Sequence, residues 1–121
     1  MERTRFTDFR GTPILVADFS AVRDPAEAVR MIREAQAVIA RQPPKSVRLL
    51  TDVTDAHYDP GVVQALKEFA AHNTPFLIAS AVVGVTGLRR VVYTGVVMFS
   101  RRKMHLADTR DAAMEWLAQQ T

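Results

Sequence analysis

Short apolar runs, separated by one-sided amphipathic segments, constrain this chain more than any other feature. Ile14-Leu15-Val16-Ala17-Asp18-Phe19, Val47-Arg48-Leu49-Leu50-Thr51-Asp52-Val53 and Phe76-Leu77-Ile78-Ala79-Ser80-Ala81-Val82-Val83 are short and poor in charge. Runs of this kind suit strands covered on both faces of a sheet. The last of them carries no charge and is read as a central strand.

The segments between the runs have helix punctuation. Asp24-Pro25-Ala26-Glu27 reads as a helix start. Asp24 can accept bonds from free amides, Pro25 fits the first helical position, and Glu27 stands where a capping box needs it. Ala28, Val29, Met31, Ile32, Ala35, Val38 and Ile39 fall on one half of the helical wheel, opposite Glu27, Arg30, Arg33, Glu34 and Arg41. Pro43-Pro44 ends this helix. Asp59-Pro60 opens a second one, with an apolar face of Val62, Val63, Leu66, Phe69 and Ala70, closed by Asn73 and Pro75.

Thr4 to Phe9 and the first apolar run flank the turn signal Gly11-Thr12-Pro13, which predicts an opening hairpin. After the loop Gly84-Val85-Thr86-Gly87, Leu88 to Ser100 reads as a third helix with Thr86 as candidate cap. Lys103-Met104-His105-Leu106 reads as a short strand, and Thr109 caps a final helix presenting Ala113, Trp116 and Leu117. The resulting order, β-β-α-β-α-β-α-β-α, predicts an α/β domain over residues 1–121 with a mixed, mostly parallel sheet.

Composition excludes several function classes. The chain has 121 residues and no cysteine, so disulfides, thiolate metal sites and cysteine nucleophiles are absent; a reducing cytoplasm is the expected location. Met1 to Phe6 has no apolar run behind it, so a secretory signal is not expected there. Pro75 to Ser100 is long enough to span a bilayer. Arg89 and Arg90 fall at its middle, each costing about 2.5–3.5 kcal/mol there, so membrane insertion is not expected. The net charge of +3 comes from residues 86–121, through Arg89, Arg90, Arg101, Arg102, Lys103 and Arg110. Without a denser basic stripe and interleaved aromatics, these charges read as a solvated face rather than a nucleic-acid surface.

The passage Leu49-Leu50-Thr51-Asp52-Val53-Thr54 resembles the SpoIIAA-like branch of STAS domains, relatives of anti-sigma-factor antagonists. Ile14 to Ser20, Pro43 to Thr54, Leu66-Lys67-Glu68-Phe69, Asn73-Thr74-Pro75-Phe76, Ala79 to Leu88 and Glu115-Trp116-Leu117 carry the resemblance. Within that branch it resembles an uncharacterised bacterial group of single-domain proteins. The resemblance implies the same α/β fold and a regulatory role exerted through protein contacts. Antagonists of the family carry a phosphorylatable serine after an aspartate at the start of the second helix. Asp59 matches the aspartate, but Pro60 stands in the serine's place, and the loop from Asp52 to Asp59 is longer. The resemblance thus implies an interaction module without the usual phosphoacceptor, with Thr54 the nearest remaining hydroxyl.

Ligands of open α/β sheets bind outside the carboxyl ends of parallel strands. The candidate ligand-binding residues are therefore Asp52, Thr54, Asp55, His57 and Tyr58 on one loop, with Thr86 and Arg89 at the start of the third helix. Free amides at that helix start favour an anion. Asp55, His57 and Asp59 are of metal-ligand type, but there is no second histidine or glutamate anchor and Asp59 is used as a cap; no metal and no cofactor is expected. No nucleophile arrangement stands beside His57, and the chain is read as non-catalytic. On the third helix Tyr93 and Val97 point away from the main apolar arc, beside Arg89 and Arg90. An apolar centre with an arginine rim suits a protein partner or a second copy, so Arg89, Arg90, Tyr93 and Val97 form the expected interface of a homodimer or complex. The alternative is a carrier of a small lipid or anion, by analogy with CRAL-TRIO domains, using the uncharged strand and the third helix as walls.

Overall fold

The computed structural model describes residues 3–56, 59–85 and 104–120. Strands β1 (Thr4–Phe9), β2 (Thr12–Asp18), β3 (Val47–Asp52), β4 (Leu77–Val83) and β5 (His105–Ala107) form one mixed sheet, in the spatial order of the sequence. β1 runs antiparallel to β2, and β2 to β5 are parallel neighbours. Helices α1 (Pro25–Ala40), α2 (Pro60–Asn73) and α3 (Arg110–Ala118) complete the described elements, with a single 3-10 turn at Thr74–Phe76. The α/β class and the mixed sheet agree with the sequence reading. The helix expected over Leu88 to Ser100 lies outside the described residues.

The opening hairpin closes through Arg10 and Gly11, both at positive φ (51° and 87°). That is the backbone of a two-residue turn whose twist matches the flanking strands. β2 therefore begins at Thr12, two residues before the apolar run, and ends at Asp18 rather than Phe19. Phe76 belongs to the 3-10 turn and not to β4, since the turn closes with the Leu77 amide donating to the Thr74 carbonyl.

Strands β2, β3 and β4 are covered on both faces. On the first face Leu15, Ala17, Val47, Leu49 and Val82 meet Met31, Ile32, Ala35 and Ile39 of α1 and Val62 and Phe69 of α2. The two helices sit on one face because each links parallel neighbours with the sheet growing steadily in one direction. On the second face Ile14, Val16, Leu50, Ala81 and Val83 meet Ala113 and Leu117 of α3. The strand residues of these two sets alternate, as a pleated ribbon with two dry faces requires, with a register shift at Val47 and Arg48 that puts Leu77 and Ala79 of β4 on opposite faces.

Helix starts differ in a way the sequence did not separate. Asp59 accepts from the Val62 amide at 2.8 Å, and Thr109 accepts from the Ala112 amide at 3.1 Å. Asp24 makes no side-chain cap bond, so the capping box expected at Asp24 and Glu27 is not formed; Pro25 alone marks that start. His105 lies flat on Trp116, ring centres 4.4 Å apart and planes within 5°, fastening β5 to α3.

Candidate functional site

β2 and β3 end alike. Asp18-Phe19-Ser20-Ala21 and Asp52-Val53-Thr54-Asp55 occupy equivalent places, with Asp18 and Asp52 direct register partners on neighbouring parallel strands. In each, one aspartate Oδ1 accepts from the amide and the hydroxyl two residues on. The Ser20 amide and Oγ donate at 3.0 and 2.5 Å, and the Thr54 amide and Oγ1 donate at 2.9 and 2.6 Å. The fourth residue of each turn is left-handed, Ala21 at φ 59° and Asp55 at φ 56°. The turns are stitched together, since the Phe19 amide donates to the Asp52 carbonyl and the Ala21 amide to the Thr54 carbonyl.

Two carboxylates side by side on adjacent strands repel, and they face the side of the sheet that α3 covers, as Val16 and Leu50 do. α3 answers them with Arg110, its first residue. Arg110 Nε donates to Asp52 Oδ2 at 2.6 Å, and Nη2 lies 3.1 Å from Asp18 Oδ1. The guanidinium fork and the positive end of the helix act together here. Arg3 adds a weaker approach, with Nη1 donating to the Ser20 carbonyl at 2.9 Å and 3.8 Å from Asp18 Oδ1. The Asp52 side chain is 7% exposed and that of Asp18 19%. Burial pushes the Asp18 carboxyl up, but the Ser20 hydroxyl and amide and the Arg110 guanidinium outweigh it and hold it below the ordinary carboxylate range. Burial works against the Arg110 charge, and Asp52 and Asp18 more than offset it, raising the guanidinium above its usual value.

Gly84 closes the third side, at the end of β4. Its φ is +91°, and a Cβ there would overlap Thr54 Oγ1 and lie 2.6 Å from the Thr54 amide nitrogen. Glycine is required by both the backbone and the space.

Of the sequence-predicted ligand residues, Asp52 and Thr54 are brought together, but on each other and on Arg110. Asp55 sits exposed at the left-handed position of its turn. His57, Tyr58, Thr86, Arg89, Arg90, Tyr93 and Val97 lie outside the described residues. Arg110, counted above with a solvated basic face, is instead the centre of the cluster: it continues the buried stripe Ala113 and Leu117, three and seven residues on. Asp18 and Ser20 were not singled out either. The signal was available in the repeat of Asp-x-Ser and Asp-x-Thr after two apolar strands.

Among the described residues no group of three metal-ligating side chains converges, and no helix is long and apolar enough to cross a membrane. An open groove of about 390 Å³ lies between α1 and the start of β1, lined by Arg3, Thr4, Glu27, Arg30, Met31, Glu34 and Val38. No protein-family model matches this chain, and no curated protein and no solved structure is detectably similar to it.

Proposed function

We propose that the chain is a non-catalytic regulatory interaction module of the STAS/SpoIIAA-like type, without the usual phosphoacceptor serine. One observation carries the reading: the polar groups at the carboxyl edge are turned on one another. Ser20 and Thr54 give their hydroxyls to Asp18 and Asp52, and Arg110 takes both carboxylates. Such an edge is a fixed scaffold for its loops rather than a set of groups aimed at a reacting substrate. The sheet order, with an antiparallel first strand, supports the family resemblance but carries no function by itself.

The contact surface is taken from the sequence: Tyr93 and Val97, rimmed by Arg89 and Arg90, receive a protein partner or a second copy. Sedimentation and pull-down with the wild type and Tyr93→Glu test this. The module reading expects a partner contact or assembly step that Tyr93→Glu removes, whatever contacts other parts of the chain make. A monomeric wild type that recovers no partner, and that carries a co-purifying lipid or anion in native mass spectrometry, would replace it with the carrier reading.

A further inference from the structure

β1 is an edge strand, and its free edge has a definite chemistry. The Asp18 amide donates to the Arg3 carbonyl at 2.8 Å, so Arg3 and Asp18 form a hydrogen-bonded pair of the antiparallel ladder. Alternation then points the amides and carbonyls of Arg5, Thr7 and Phe9 at β2, and those of Thr4, Phe6 and Asp8 outward. No described residue pairs with that outer row. Phe6, whose side chain stands on the α1 face opposite Leu15, is 48% exposed and is the one large hydrophobic residue exposed among those described. The strand has no proline and no bulge, and Arg5 and Asp8 are its charged residues.

We infer that β1 pairs antiparallel with β1 of a second copy across a two-fold axis through Phe6. The axis stands perpendicular to the sheet, so it keeps each face continuous and pairs outward residues only with outward residues. Centring on Phe6 sets Phe6 against Phe6 and Thr4 against Asp8 of the other copy. This uses about six hydrogen bonds, where shifting the centre by one residue leaves about four. The charges disfavour one of the two neighbouring registers. Thr4 offers its hydroxyl to the Asp8 carboxylate, Arg5 faces Thr7, and Arg3 faces Phe9. Shifting the centre to Arg5 would set two guanidinium groups directly opposite, which is unfavourable. The open groove beside α1 flanks this seam at Thr4. The inference does not rest on the helix expected over Leu88 to Ser100.

The lack of cysteine makes the test direct. Phe6→Cys places two thiols across the axis at a Cα separation of about 5.5 Å, suited to a disulfide. Under mild oxidation with diamide, Phe6→Cys is expected to cross-link about tenfold more than Glu34→Cys, an exposed position on α1, because pairing concentrates the thiols. Phe6→Cys carried in the Tyr93→Glu background is expected to cross-link equally, which separates this edge from the proposed third-helix surface. Wild-type protein is expected to show a concentration-dependent dimer in sedimentation. Cross-linking of Phe6→Cys no greater than that of Glu34→Cys, in protein that circular dichroism shows to be folded, overturns the inference, as does a wild type that stays monomeric at every concentration.

Discussion

Replacing Arg110 by methionine keeps the packed stem of the side chain and removes the fork that holds Asp18 and Asp52. Breaking a buried pair from one side costs about 3–5 kcal/mol, because the remaining charge is left uncompensated. The Asp52 partner is nearly dry, but the arginine itself is 32% exposed, so solvent relieves part of the loss. The expected destabilisation is about 2–3 kcal/mol at neutral pH after that discount. Urea denaturation followed through Trp116, the single tryptophan, measures it. Asp52→Asn in the Arg110→Met background should recover about 1–2 kcal/mol, since the two residues act as one unit. The pH dependence has a definite sign. The folded Asp18 carboxyl is held low, so its contribution is complete above the unfolded value of about 3.9 and is lost as the pH falls through the lower folded value. Arg110→Met removes part of what holds it low, so the gap between wild type and variant should narrow as the pH falls from neutrality toward that range. A gap below about 0.5 kcal/mol at neutral pH, the size of an ordinary surface substitution, would refute the reasoning. So would a gap that does not change with pH.

Two further outcomes follow from local geometry. Asp59→Ala should cost about 1 kcal/mol in thermal or urea unfolding, the value of a working N-cap, and Asp24→Ala distinctly less, because only Asp59 bonds a helix amide. Gly84→Ala should cost more than about 2 kcal/mol by the same assay, since a positive φ and overlap with Thr54 act together.

Much of the fold was legible because each strand and helix carries its own local signal. Ile14 to Ala17 are fully or almost fully buried, as the unbroken apolar run required, and Asp59-Pro60 marks the start of α2 to the residue. The assignments that slipped sit where long-range geometry overrides local chemistry. Asp24 has the right residue type for a cap, yet its side chain makes no bond to the helix start. Arg110 looks like any surface arginine until Asp18 and Asp52 arrive from strands 92 and 58 residues earlier in the chain. A periodicity argument sees one helix at a time, and it cannot tell which charged residue in a buried stripe has a partner waiting on another element. The repeated Asp-x-Ser and Asp-x-Thr strand ends could have hinted at such a partner, because two neighbouring carboxylates on one face call for a cation.

The packing of α3 on the second face has a consequence for biosynthesis. Ile14, Val16, Leu50, Ala81 and Val83 all wait for Ala113 and Leu117, the latest-made elements they touch. During translation the apolar patch that α3 covers therefore waits for its partner, a stage at which chaperones can bind and neighbouring nascent chains can stick. Only when Arg110–Ala118 has emerged from the ribosome can that helix take its place.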